Sequence, residues 1–264
     1  MRSVTFIHAM PSLASYRYRA AMPAKEIGAM VNDVEAEIIV VSKPWDYAKI
    51  VPLKEEGKTI VVDFCDDHFN HPEHGQMYHD FAKLADYCVC PTEEMRKRIP
   101  SDKVAIIPDP YEMEELEPHA FGDKLLWFGH PVNLKALEPY RNLPNLTVVS
   151  LGPGVVQYSH ETLVEEMKKA NIAIFPVKPW DGYKSPNRVV NSLRMGLFPV
   201  CHHHLSYVEF KRFLWQSDIP TGLKWAAEFR HDLNDLVKAG QDYIRDRYSP
   251  KTIGAKWKDL LESI

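Results

Sequence analysis

The feature that most constrains this chain is an alternation that runs from its first residues to beyond residue 200. Nine short apolar runs, at 4–9, 37–41, 59–64, 87–90, 104–107, 125–128, 146–151, 172–177 and 198–201, are separated mostly by longer stretches with helical periodicity, such as 18–30, 77–84, 93–99, 161–170 and 186–195. That pattern predicts parallel sheets with crossover helices, because only such sheets need continuous apolar strands covered on both faces. Nine strands are many for one sheet in 264 residues, so the chain is expected to form two doubly wound α/β halves with a cleft between them. The break is expected at residues 109–123, where two prolines, a glycine and an acidic run show no apolar period. This gives an N-terminal domain at 1–110, a C-terminal domain at 111–249 and a last helix at 250–264, started by Ser249-Pro250 and carrying Trp257, Leu260 and Leu261.

Charge narrows the range of partners. A net charge of −4 and a pI near 6.3 supply no global basic field for nucleic acid or anionic lipid, so any anion site must be local. The first apolar run, which already contains Thr5 and His8, is shorter than the apolar region of a signal peptide. No window approaches 18 uninterrupted apolar residues, so no membrane span is expected, while peripheral membrane contact stays compatible. Cys65, Cys88, Cys90 and Cys201 sit mostly inside apolar runs, which reads as reduced core thiols in a cytoplasmic protein.

In doubly wound sheets, ligands gather beyond the carboxyl ends of the strands, where helix N-termini point their N–H groups. After the run at 172–177 the chain reads Lys178-Pro-Trp-Asp-Gly-Tyr-Lys-Ser-Pro-Asn-Arg188. Ser185 and Pro186 form an N-cap and first-position signal. Val189, Val190, Leu193 and Leu197 make one stripe for the sheet, Asn187 and Asn191 share another face, and Gly196 ends the helix. Lys184 and Arg188 then flank the positive end of a helix, where a bound phosphate would reverse an otherwise unfavourable placement. A solvated basic patch accounts for these two residues equally well. The run at 125–128 leads into Gly129-His130-Pro131-Val132-Asn133-Leu134-Lys135, where Asn133 is the expected cap and Lys135 falls in the first turn. Two basic clusters on one sheet edge suggest a pyrophosphate.

These segments, in this order, resemble the donor-binding half of the group 1 glycosyltransferases, a retaining family with the GT-B fold of two facing Rossmann-like domains. Phe128-Gly129-His130 with Lys135 is similar to the family's Gly-Arg followed by lysine, and Asn191 through Gly196-Leu-Phe-Pro199-Val200 to its later helix and turn. Leu151-Gly152-Pro153-Gly154 resembles the glycine turn near the nucleotide base, and Ile106-Ile107-Pro108-Asp109-Pro110 the entry to the interdomain linker. Ser15 to Arg19, Val62-Asp63 with Asp66-Asp67, and Ala85-Asp86 through Thr92 resemble the N-terminal half of one branch. The chain departs from the pattern at His130 (arginine in the family), Asn191 (glutamate) and Tyr183 (an earlier glutamate, for which Asp181 is the nearest acid).

The resemblance implies a hexosyltransferase-like enzyme that moves a sugar from a nucleoside diphosphate sugar to a hydroxyl acceptor with retention. It implies no cofactor beyond that co-substrate and no metal, and a C-terminal helix that crosses back to the N-terminal domain. Lys135, Lys184, Arg188 and His130 would stabilise the leaving pyrophosphate, with Gly129, Gly152, Ser185, Asn187 and Asn191 holding the donor. Arg17, Arg19, Asp66, Asp67 and His68 would contact acceptor or sugar. The alternatives are a nucleotide-sugar epimerase of the same fold and a catalytically weakened binding protein. Asp66-Asp67-His68 with His71, His74 and His79 contains good metal ligands at no recognised zinc spacing, and a hydrated loop accounts for it equally well. Dinucleotide, Walker, Gly-x-Ser-x-Gly and His-Glu-x-x-His motifs are absent.

Overall fold

The structure, a computed structural model, describes residues 2–44, 46–177 and 183–264. It forms two compact units. Of the described residues, unit 1 takes Glu112 and those before it, Tyr183–Ser185 and Arg247–Ile264, while unit 2 takes the rest.

Unit 1 is built on a six-stranded, wholly parallel sheet. Its strands are β1 (Val4–Ile7), β2 (Met30–Val31), β3 (Ile38–Ser42), β4 (Thr59–Asp63), β5 (Tyr87–Cys90) and β6 (Val104–Ile106), in spatial order β2-β1-β3-β4-β5-β6. The two-residue alternation of a strand explains why these runs are apolar throughout. Ile39, Val41, Ile60, Val62, Cys88 and Cys90 point to one face, under Ile50 and Leu53 of the helix Tyr47–Glu55 and Tyr78, Phe81 and Ala82 of the helix Gly75–Leu84. Val4, Phe6, Ile38, Val40, Val61 and Val89 point to the other, under Ala20, Ala24, Ile253, Trp257 and Leu261. The helix Pro250–Ser263 thus completes unit 1, as expected of a segment that crosses back, and packs on the helix Met22–Ile27. Phe6 meets Trp257 edge to face at 5.1 Å.

Unit 2 repeats the plan with β7 (Leu125–Phe128), β8 (Leu146–Ser150), β9 (Val156–Gln157), β10 (Ile172–Phe175), β11 (Phe198–Cys201) and β12 (Trp215–Gln216), in order β12-β11-β10-β7-β8-β9, again all parallel. All nine apolar runs are strands. The three strands the apolar pattern does not reveal, β2, β9 and β12, are two residues long and lie at sheet edges.

The helix after β10 spans Asn187–Arg194 with Val189, Val190 and Leu193 buried against the sheet. It closes in a Schellman turn, Leu197 N donating to Ser192 O (3.0 Å) and Gly196 N to Leu193 O (3.0 Å), with Gly196 at φ +79° as the expected stop. One cap assignment is corrected. Pro186, not Ser185, occupies the N-cap position, and the Ser185 hydroxyl makes no cap bond. At the other segment Asn133 is the N-cap of the helix Leu134–Leu137 as expected, without a side-chain cap bond, and the imidazole of His130 accepts from Val132 N (3.3 Å) at the start of a preceding 3₁₀ turn, Pro131–Asn133. At His130-Pro131 the proline supplies the first helical φ and pushes the residue before it to extended backbone, which makes His130 the cap of that turn.

Candidate functional site

Each parallel sheet has one place where the chain reverses its order of laying down strands, and there the carboxyl ends open a crevice. In unit 2 the chain runs from β7 outward to β8 and β9, then returns to place β10, β11 and β12 on the other side. The crevice therefore lies beyond the ends of β7 and β10. Gly129 directly follows β7, with its N–H donated to Val149 O (3.2 Å) and its carbonyl accepting from the Ser150 hydroxyl (2.8 Å). A β-carbon at position 129 would stand 3.2 Å from the Trp127 ring and 3.6 Å from Arg188 Nη1. The Arg188 guanidinium thus lies beside the bare Gly129 backbone, its Cζ 5.1 Å from the centre of the Phe175 ring in β10.

Arg188 Nη1 is buried and has no hydrogen-bond partner among the described residues. A desolvated guanidinium N–H left unpaired costs on the order of 1–3 kcal/mol, which an incoming anion recovers. The start of the helix Asn187–Arg194 adds its positive end at the same place. Gly129, Arg188 and a helix start are thus brought together at a switch point, an arrangement that favours an anion.

The other unit 2 residues expected at the donor site are less uniform. Lys135 is exposed and is the second residue of the four-residue helix Leu134–Leu137, in the first turn as expected, though a helix this short carries little dipole for it to oppose. His130 is exposed, and its Nδ1 accepts from the backbone, which leaves Nε2–H as the outward donor. Gly152 sits at φ +115° in an exposed turn closed by Gln157, whose Nε2 donates to Gly152 O (2.5 Å). Asn187 is half-buried, whereas Asn191 is 2% exposed; of the two, Asn187 offers surface to a ligand.

Lys184 and Ser185 group with unit 1 rather than with Arg188. There the switch point falls between β1 and β3. Beyond β3, Lys43, at φ +68°, donates to Asp66 (2.9 Å). Burial pushes the Asp66 carboxyl up, but Lys43 and Lys184, the Lys43 hydrogen bond and His68 outweigh it and hold it below the usual carboxylate range. Beyond β1, His8 Nδ1 accepts from Met10 N (3.0 Å), so its Nε2–H faces the Ser15 hydroxyl at 3.1 Å. Burial, then the charge of Lys43, lowers this imidazole to about 4, so it is neutral. Asp67 accepts from Phe69 N (3.2 Å) and pairs with Arg98 at 3.5 Å, and His68 packs edge to face on Tyr78.

Two expected acceptor contacts are corrected. Arg19 is 1% exposed, bonded twice by Asp63 (2.6 and 2.7 Å) and once each by Asp109 (3.1 Å) and Ile107 O (2.6 Å). Burial alone would lower its pKa, but the two carboxylates more than reverse that and keep it charged. Arg17 forms a forked pair with Glu112 (2.7 and 3.1 Å). Arg19 thus serves the fold of unit 1, held by Asp63 of β4 and by Ile107 and Asp109 beyond β6, while the acidic segment that follows supplies Glu112 to Arg17. Asp181 lies outside the described residues.

Sequence patterns passed over Trp127, Ser150, Phe175 and Lys43. Each is a strand residue or directly follows one, and the switch point is the signal that would have singled them out.

No protein-family model matches the chain, and no curated protein matches it by sequence. Solved structures match its fold. HepE from Anabaena, in complex with UDP and glucose, matches over 100% of both chains with a TM-score of 0.69 at 11% identity. Sucrose-phosphate synthase from Thermosynechococcus elongatus matches over 100% of this chain and 99% of that one with a TM-score of 0.70 at 10% identity. An alpha-glucosyltransferase in complex with UDP-glucose and DNA containing an abasic site matches over 98% of both chains with a TM-score of 0.63 at 8% identity. At these identities the likeness is one of fold: two Rossmann-like domains of GT-B type.

Proposed function

We propose that this chain is a glycosyltransferase that moves a hexosyl group from a uridine diphosphate sugar to a hydroxyl acceptor with retention. The observation that carries the reading is the buried Nη1 of the half-buried Arg188, which has no hydrogen-bond partner among the described residues and lies beside Gly129 at the switch point of unit 2. Two of the fold's matches are in complex with UDP or UDP-glucose, which supports uridine as the base. In the reaction the anomeric C–O bond breaks and negative charge gathers on the departing diphosphate. Arg188 and the helix start stabilise that charge without a metal ion, a contribution of roughly 2–4 kcal/mol to the barrier. Gly129 lets a phosphate oxygen approach the backbone, His130 Nε2–H and Lys135 reach the same edge, and the Gly152 turn lies by the base. Asn187 bonds the donor. A departing phosphate oxygen takes the acceptor proton, so no protein base is needed.

The test is a thermal shift with UDP, GDP and UDP-glucose, each with chelator. Saturating UDP at 100 times its Kd should stabilise the protein by about 2.7 kcal/mol. Arg188→Ala should abolish that shift and leave the ligand-free melting point within a few degrees. A folded protein that responds to no nucleotide overturns the reading. Conversion of UDP-glucose to another sugar nucleotide without acceptor would mark an epimerase instead.

A further inference from the structure

The loop between β4 and the helix Gly75–Leu84 gathers metal ligands that the proposed transfer does not use. His71, Glu73 and His74 each present a ligand atom, and the three atoms lie within 4.8 Å of one another. The His71 and His74 rings are stacked at 4.6 Å and 16°, and His68 stands edge-on to both, at 5.7 and 6.1 Å. Two imidazoles and one carboxylate form a donor set suited to zinc and its neighbours, and poorly suited to magnesium.

The backbone holds this arrangement. His71 N donates to His68 O (2.9 Å) and Gly75 N to His71 O (2.8 Å), so residues 68–75 form a closed turn. A β-carbon at Gly75 would stand 2.6 Å from Phe69 O, so only glycine permits the closure. The ligands sit two and one residues apart on that turn, and the long bond from Glu73 N to His71 Nδ1 (3.2 Å) is the only one a ligating His71 Nδ1 would give up. The N-terminus of the following helix disfavours a cation here by a fraction of a kcal/mol, which the Glu73 carboxylate offsets. The other histidine-rich stretch is not comparable. His202 is bonded to Tyr140 and Val177, His204 is buried against Tyr207, and only His203 is exposed.

We infer that His71, Glu73 and His74 bind one divalent transition-metal ion, zinc or a near neighbour, as a clamp on the loop that also carries Asp66 and His68. The ion stiffens the loop and takes no part in bond breaking, so the inference stands whether or not the transfer reading does.

The experiment is calorimetric titration of the full-length, tag-free, metal-stripped chain with zinc, cobalt and magnesium chloride. Zinc and cobalt should bind with a stoichiometry of one and magnesium should give no heat. Cobalt should add visible absorption bands of a low-symmetry site. His74→Ala and Glu73→Gln should each weaken zinc by roughly tenfold or more, at least what loss of an outer partner costs a metal site. Both residues are exposed, so the metal-free melting curves should match the parent and show that the variants fold. His203→Ala should bind as the parent does. No zinc binding by the folded chain, or binding unchanged in His74→Ala and Glu73→Gln, or binding lost in His203→Ala, overturns the inference.

Discussion

Arg188 and Gly129 depend on each other at the level of single atoms. Trp127 is fully buried, so a methyl group placed 3.2 Å from its ring crowds a packed core, while Arg188 Nη1, at 3.6 Å, comes into ordinary contact with it. Gly129 does not have a positive φ, which leaves the backbone indifferent to a side chain. Gly129→Ala is therefore expected to lower stability by about 1–3 kcal/mol from crowding. It should also shrink the UDP-dependent thermal shift well below that of the parent at equal ligand concentration; an undiminished shift would mean that the diphosphate does not lie beside residue 129. His8 gives a separate residue-scale prediction. Its folded pKa of about 4 lies below the unfolded value near 6.5, so the unfolded chain binds the extra proton and stability falls as pH drops through that interval. The loss is at most about 3 kcal/mol. Urea midpoints of the parent and His8→Gln should converge or cross between pH 6.5 and 4, and a constant difference would remove His8 from the pH response. Arg188 was legible as a cation after a strand, but its place over Phe175 was not, because a ring in one strand and a guanidinium 13 residues later share no period.

At the scale of elements, apolar period reports what is buried and says little about what it is buried against. The helix Pro250–Ser263 was legible from Ser249-Pro250 and Trp257, while its contact with Met22–Ile27 depends on Gly254, where an added β-carbon would meet Glu26 Cβ at 2.5 Å. Gly254→Ala is expected to force these helices apart and cost about 1–3 kcal/mol, read as a lower denaturation midpoint with the UDP shift retained. A stability within experimental error of the parent would show that the helix pair tolerates separation. Two-residue edge strands escape any period because two residues cannot show one. The helix Tyr47–Glu55 was missed for another reason: Pro52 sits inside it, and proline normally argues for a break. The resemblance implies ligand contacts at Arg17 and Arg19, and no local pattern reveals their actual partners Asp63, Asp109 and Glu112, which lie 44 to 95 residues away.

At the scale of the whole molecule, the division into two parallel-sheet units was legible because strand count and chain length together exceed one sheet. The return of the last helix to unit 1 is what the resemblance implies, but the assignment of Tyr183–Ser185 to that unit was not legible, since the composition of those residues does not differ from their surroundings. No described helix is long and apolar enough to cross a membrane. The return of residues 247–264 to unit 1 has a consequence for how the protein is made. A ribosome adding roughly 5–20 residues per second finishes β1 to β6 well before Trp257 exists. For that interval, of the order of ten seconds or more, the face formed by Val4, Phe6, Ile38, Val40, Val61 and Val89 has no cover from Ile253, Trp257 and Leu261. Unit 2, continuous apart from its excursion at 183–185, has no such wait. Pulse-labelled hydrogen exchange during refolding should accordingly show β7, β8, β10 and β11 protected before β1 and β3; simultaneous protection would mean that the sheet of unit 1 closes without its last helix. The part of the protein translated first is the part completed last, and in the cell its uncovered sheet face is a natural client for a holding chaperone.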